Sequence, residues 1–202
     1  MYQIRQMKNA VKAYKSKALN ILDRIEKAYR TYLPEAAQTE ENRLRGEMHA
    51  ARVEAEDALY SAYSDGLRRI KDWFTLDGSK LTDDVKLLEI GVTAKQFNEL
   101  VEKYVGNYTM LNALHRYADR QNAQEREKAF AKRDYLTAEA YETANMPTEE
   151  AKSKAWEQVY SQAVNLLDAI DGKGRYTDPF MRTLLLSTFD ETIEQLGAGF
   201  DL

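Results

Sequence analysis

His49 and His115 are the only imidazoles in a chain of 202 residues, so any histidine chemistry must run through them. A di-iron helical bundle needs Glu-x-x-His pairs on facing helices, because the carboxylate one turn before the imidazole shares its metal. Gly46 stands three before His49 and Asn112 three before His115, and His-x-x-x-His is absent as well. His115, next to Tyr117 in a helical pattern, reads as a structural residue. Ser64, Asp65 and Gly66 also lie in a helical pattern, whereas a serine nucleophile elbow needs Gly-x-Ser-x-Gly on a strand-to-helix turn. Gly172-Lys173-Gly174-Arg175 is the nearest approach to a phosphate loop. It follows a helix, has no strand before it and lacks the Gly-x-x-x-x-Gly-Lys-Ser/Thr spacing, so it reads as a helix cap and loop. Of the acidic pairs Asp83–Asp84, Glu40–Glu41 and Glu149–Glu150, most fall at expected helix starts, where carboxylates meet the positive end of the helix dipole. With no cysteine there is no disulfide, thiolate zinc site or cysteine nucleophile. The expectation is therefore no catalytic residue, no cofactor and no metal: not an enzyme.

Residues suited to contact are better represented. Thirteen tyrosines are many for this length, and tyrosine is enriched at interfaces because one end of the ring is apolar and the other polar. Lys8, Lys12, Lys15, Tyr29 and Tyr32 on the first helix, and Trp73-Phe74 at the end of the second, are the candidate interaction residues.

The element that must position most of them is the first. Ile4, Met7, Val11, Tyr14, Ala18, Ile21, Ile25, Ala28 and Tyr32 recur at steps of three and four, an a/d stripe over four heptads. The spacing predicts a helix over 1–33, roughly 45–50 Å long, and Leu22, Tyr29 and Leu33 widen its later half toward further neighbours. Pro34 breaks the chain, residues 35–42 are polar enough for a loop, and a second long helix is expected from about Thr39 to Phe74. Its apolar set runs through Leu44, Met48, Ala51, Ala55, Leu59, Ala62 or Tyr63, Gly66, Ile70 and Trp73. Charge selects the pairing. Residues 1–33 carry a net +6 and residues 34–72 a net −3. A parallel homodimer of the first helix has no opposite-charge flanking pair, and an antiparallel one brings lysines together. Glu40, Glu41, Glu47, Glu54 and Glu56 make an intrachain hairpin the better match, although each exposed pair contributes only about 0.2–1 kcal/mol.

The remaining chain reads as Thr75–Lys80 loop, a short helix over 84–89 stopped by Gly91, and a helix opened by the capping box Thr93/Gln96. A further helix opens at Asn107 or Thr109, and the polar stretch 119–134 reads as a solvated helix, either separate from it or continuous with it. Thr148 caps the next helix, which carries Trp156, Val159, Leu166 and Ile170 and ends at Gly172. Asp178-Pro179 starts the last, through Phe180, Leu184, Phe189 and Ile193, before a frayed tail from Ala198 to Leu202. No strand pattern occurs, so the fold is expected to be all-α. It is a long antiparallel, coiled-coil-like hairpin (1–75), a small three-helix module (76–121) and C-terminal helices packing back on the hairpin (122–202), together an elongated bundle. The net charge of −4 is unlike that of nucleic-acid domains, which tend to be basic. No apolar run approaches bilayer length, and the N-terminus has charges where a signal peptide would be apolar. A non-secreted, cytoplasmic protein with no membrane contact is expected.

Asp84-Val85-Lys86-Leu87-Leu88, Gly91, Phe97, Leu100 and Asn107-Tyr108-Thr109-Met110 leading to Tyr117-Ala118 resemble small α-helical proteins encoded in phages and prophages of Gram-positive bacteria. The resemblance covers residues 83–118. It implies a role in virion structure or capsid assembly (scaffold, connector or accessory protein, in virion or host cytoplasm) and carries over no catalytic residue. The expected partners are other proteins, virion components or further copies of the chain. The alternative is a nucleic-acid-associated protein using the Lys-rich face of the first helix.

Overall fold

Good helix formers dominate the composition, and such residues favour helix. A computed structural model describes residues 2–133, 141, 147–173, 183–184 and 187–198. Among these residues every regular element is helical, and the fold is all-α. The helices are α1 (Tyr2–Thr31), α2 (Pro34–Trp73), α3 (Val85–Ile90), α4 (Ala94–Lys103), α5 (Tyr108–Lys132), α6 (Glu149–Asp171) and α7 (Phe189–Gln195), with a 3-10 turn at Gly78–Lys80. They form two compact units. One is Met1–Arg69 with Ser153–Leu202, the other Ile70–Lys152. The described residues 122–133 fall in the same unit as the short helices.

The expected loop at 35–42 is helix instead: α2 begins at Pro34 itself. The physical reason is that proline's fixed φ suits the first helical position, where its missing N–H is no loss. Glu35 then meets the dipole, and the Thr39 hydroxyl donates to the Glu35 carbonyl at 2.9 Å. In the first unit α1 and α2 run antiparallel, as the pairs Lys17–Glu54 (2.5 Å) and Arg24–Glu47 (2.9 Å) require. Alpha-helix α6 runs antiparallel to α2. The Trp156 indole N–H donates to the Tyr63 carbonyl at 2.9 Å, and Tyr63 stacks on Tyr160 at 4.5 Å between centroids. Met7, Val11, Tyr14, Leu44, Leu59 and Trp156 are at most 1% exposed at the centre of this core.

The stripe of α1 stops short of its expected length. Burial ends at Ala28, while Tyr29, Tyr32 and Leu33 are 49%, 55% and 80% exposed. Alpha-helix α6 ends where Asp171 meets Tyr14. Among the described residues, the later turns of α1 therefore keep α2 as their charged partner and gain no further one. The start signal Asp178-Pro179 and residues 199–202 lie outside the described residues.

Candidate interaction site

The second unit builds its site on α5. Asn107 caps that helix, its side chain accepting from the Met110 amide at 3.2 Å. The same side chain donates to the Lys80 carbonyl at 2.8 Å, and the Thr109 hydroxyl accepts from the Asp77 amide at 3.0 Å. The first turn of α5 thereby fixes the loop that carries Leu76 and Leu81. Asp77 in turn accepts from the Ser79 hydroxyl and amide, at 2.7 and 3.0 Å, which holds its carboxyl below the ordinary value. Asp84, just before α3, accepts from Lys103 at 2.6 Å and Tyr104 at 2.7 Å, and these donors hold its carboxyl low as well. The Thr93/Gln96 capping box opens α4 as the sequence indicates.

Behind this frame lies a core of Phe97, Leu100, Met110, Leu114 and Tyr117. The Tyr117 hydroxyl accepts from the Val92 amide at 3.0 Å, and Tyr141 donates to the Val92 carbonyl at 2.9 Å. Outside it runs a groove of about 650 Å³. Leu76, Leu81, Val85 and Leu88 line it along with α5 residues from Thr109 to Gln124. Leu76 and Leu81 are 54% and 48% exposed. These half-exposed leucines lie beside polar side chains of α5. On α5 the lining residues Asn112, Arg116, Arg120 and Gln124 stand at steps of four, which places them in one row along the helix. Arg120 donates through Nε to the Arg116 carbonyl at 3.3 Å, and neither guanidinium meets a carboxylate among the described residues.

A polar cluster occupies the core of the first unit. Arg52, only 5% exposed, donates to Glu56 (2.6 Å), Asp168 (2.8 Å) and Asp171 (3.1 Å). Its guanidinium lies 6.0 Å from the centre of the Tyr14 ring, and the Tyr14 hydroxyl donates to the other oxygen of Asp171. Burial opposes the charge on Arg52, but the carboxylates outweigh it and hold the guanidinium above its ordinary value. Burial first, then the bond to Asp171, pushes the Tyr14 hydroxyl well above its ordinary value. This cluster ties one residue of α1, two of α2 and two of α6 together. A cleft of about 190 Å³ beside it is lined by Arg45, His49 and Lys173 among others.

The residues singled out from sequence fall into three settings. Lys8 and Lys12 reach Glu194 of α7, at 3.5 and 2.5 Å, and Lys15 reaches Asp190 at 3.4 Å. Lys15 also sits 4.0 Å over the Phe189 ring. The basic face of α1 thus meets an acidic helix of its own chain. Tyr29 donates to Glu41 at 2.5 Å, while Tyr32 stands exposed. Trp73 and Phe74 pack on Tyr108, at 5.4 and 4.7 Å between centroids, and Phe74 is buried. The two rings therefore belong to the core side of the second unit. His115 pairs with Asp119 on its own helix at 3.1 Å. Sequence reasoning did not single out Arg52, Arg116 or Arg120. The signal for the last two was the four-residue step from Asn112 to Gln124.

Among the described residues no helix is long and apolar enough to cross a membrane, and no cluster of His, Asp and Glu is placed to hold a metal ion. Compared with family models, curated proteins and solved structures, the chain matches none.

Proposed function

We propose that this chain is a non-enzymatic helical protein that works by binding other proteins. The observation that carries this reading is the groove beside α5, which combines half-exposed leucines with two exposed guanidinium groups that meet no carboxylate among the described residues, on a frame fixed by hydrogen bonds. An interface core needs apolar surface, and its rim needs charges that choose the partner. The resemblance of residues 83–118 to phage-encoded helical proteins narrows the proposal to virion structure or capsid assembly. The exposed Tyr32 and Leu33 at the turn between α1 and α2 offer a second contact patch, including one for further copies of the chain. A nucleic-acid role for the lysine face of α1 is less favoured, because phosphates would have to displace Glu194 and Asp190 from Lys8, Lys12 and Lys15.

Size-exclusion chromatography with light scattering tests the proposal, on the pure chain and on mixtures with purified scaffold, connector and portal proteins. A complex of higher mass is expected in at least one mixture. A strict monomer that binds none of them overturns it.

A further inference from the structure

We infer that the groove beside α5 takes an amphipathic helix of a partner protein carrying two carboxylates one turn apart along the edge of its apolar face. The inference rests on the protein-contact reading above and specifies the partner's chemistry. One wall of the groove is apolar, from Leu76, Leu81, Val85 and Leu88, and the other presents Arg116 and Arg120. An amphipathic helix offers the matching pair of surfaces when it lays its apolar face into a groove. Arg116 and Arg120 are four residues apart on α5, so their side chains start about 5–6 Å from each other. Carboxylates at positions i and i+4 of an opposing helix have the same spacing. Ala113, a small residue of α5, also lines the groove. Among the described residues Glu89 is the one carboxylate that lines the groove, beside two arginines, so their lining keeps an excess of positive charge. Charge complementarity of this kind selects partners, and here it selects an acidic edge over a basic one.

Fluorescence anisotropy with the full chain tests this. The probe is a fluorescein-labelled synthetic helix of Leu and Glu, with Glu at i and i+4 beside a Leu stripe, and the control is the same helix with Lys for Glu. The Leu/Glu helix is expected to bind and the Leu/Lys helix to bind at least about tenfold more weakly. Arg116→Glu with Arg120→Glu should weaken the Leu/Glu helix about tenfold and reverse the preference, because like charges then face each other. Both arginines are exposed, and unchanged circular dichroism confirms that the variant folds. Leu81→Asp should weaken both probes. Equal binding of the two helices, binding indifferent to the double charge reversal, or no binding overturns the inference. A self-association lost in Leu81→Asp also overturns it, because the occupant is then a second copy. If the Leu/Glu helix fails while the chain still forms complexes with virion proteins, the partner chemistry falls and the protein-contact reading stands. If both fail, both fall.

Discussion

Arg52 and Tyr14 show what a buried charge demands of its neighbours. A guanidinium taken out of water is costly unless its donors are met, and here three carboxylates meet them. Tyr14→Phe removes one donor from Asp171, which keeps Arg52 and Lys173 as partners. The expected loss is about 1–2 kcal/mol, the cost of one hydrogen bond to a charged group, read as a shift of the urea midpoint. The variant should also change the alkaline limb. The folded hydroxyl holds its proton more tightly than the unfolded chain, which releases it near 10.0. Stability from Tyr14 is therefore complete below pH 10 and falls as pH rises above it, since only the unfolded state then ionises readily. Tyr14→Phe should lose less stability than the natural chain between pH 10 and 11.5. Tyr14 was legible as a core position from its place in the α1 stripe. Its partner was not. Asp171 lies 157 positions away, and only the packing of α6 in the first unit brings the two together.

At the scale of elements, helix caps are legible in the sequence and the ends of long helices less so. Thr93 and Gln96 satisfy each other's backbone in full. Thr93→Ala should destabilise the second unit by about 1 kcal/mol, the usual worth of such a cap, measured by thermal melting. Gly66 is a different case. A Cβ added there would overlap the Trp156 indole. Replacing a helical glycine by alanine ordinarily gains about 1 kcal/mol of propensity, but overpacking costs about 1–3 kcal/mol. The steric term should win, so Gly66→Ala is expected to lower the midpoint while Gly46→Ala, with open space around it, raises it. The early start of α2 was missed because the polar composition of 35–42 suggested loop, although its Ala, Gln and Glu are good helix formers. The exposed end of α1 was missed for a different reason. Periodicity reports which face is apolar, and only the lengths of the neighbouring helices decide how much of it is covered.

Across the whole molecule, opposite charges join segments that the sequence separates widely. Glu194 is held below its ordinary carboxyl value by the hydrogen bond from Lys12 and the charges of Lys12 and Lys8. A carboxyl lowered on folding contributes stability above its unfolded value of 4.5, and that contribution is lost as pH falls through the lower folded value. Acidification from pH 6 to 3.5 should therefore reduce hydrogen-exchange protection in α7 before it reduces protection in α6. Glu194→Gln should bring the same loosening at neutral pH. The net basic charge of α1 was plain in the sequence. The pairing of Lys8, Lys12 and Lys15 with the acids of α7 depends on a fold-back that no local pattern encodes. The two-unit organisation has a spectroscopic consequence. The chain holds two tryptophans, and each unit receives one: Trp156, 1% exposed, in the first and the half-buried Trp73 in the second. Emission from Trp156 should lie to the blue of that from Trp73, so the natural protein carries a separate optical reporter for each of its halves.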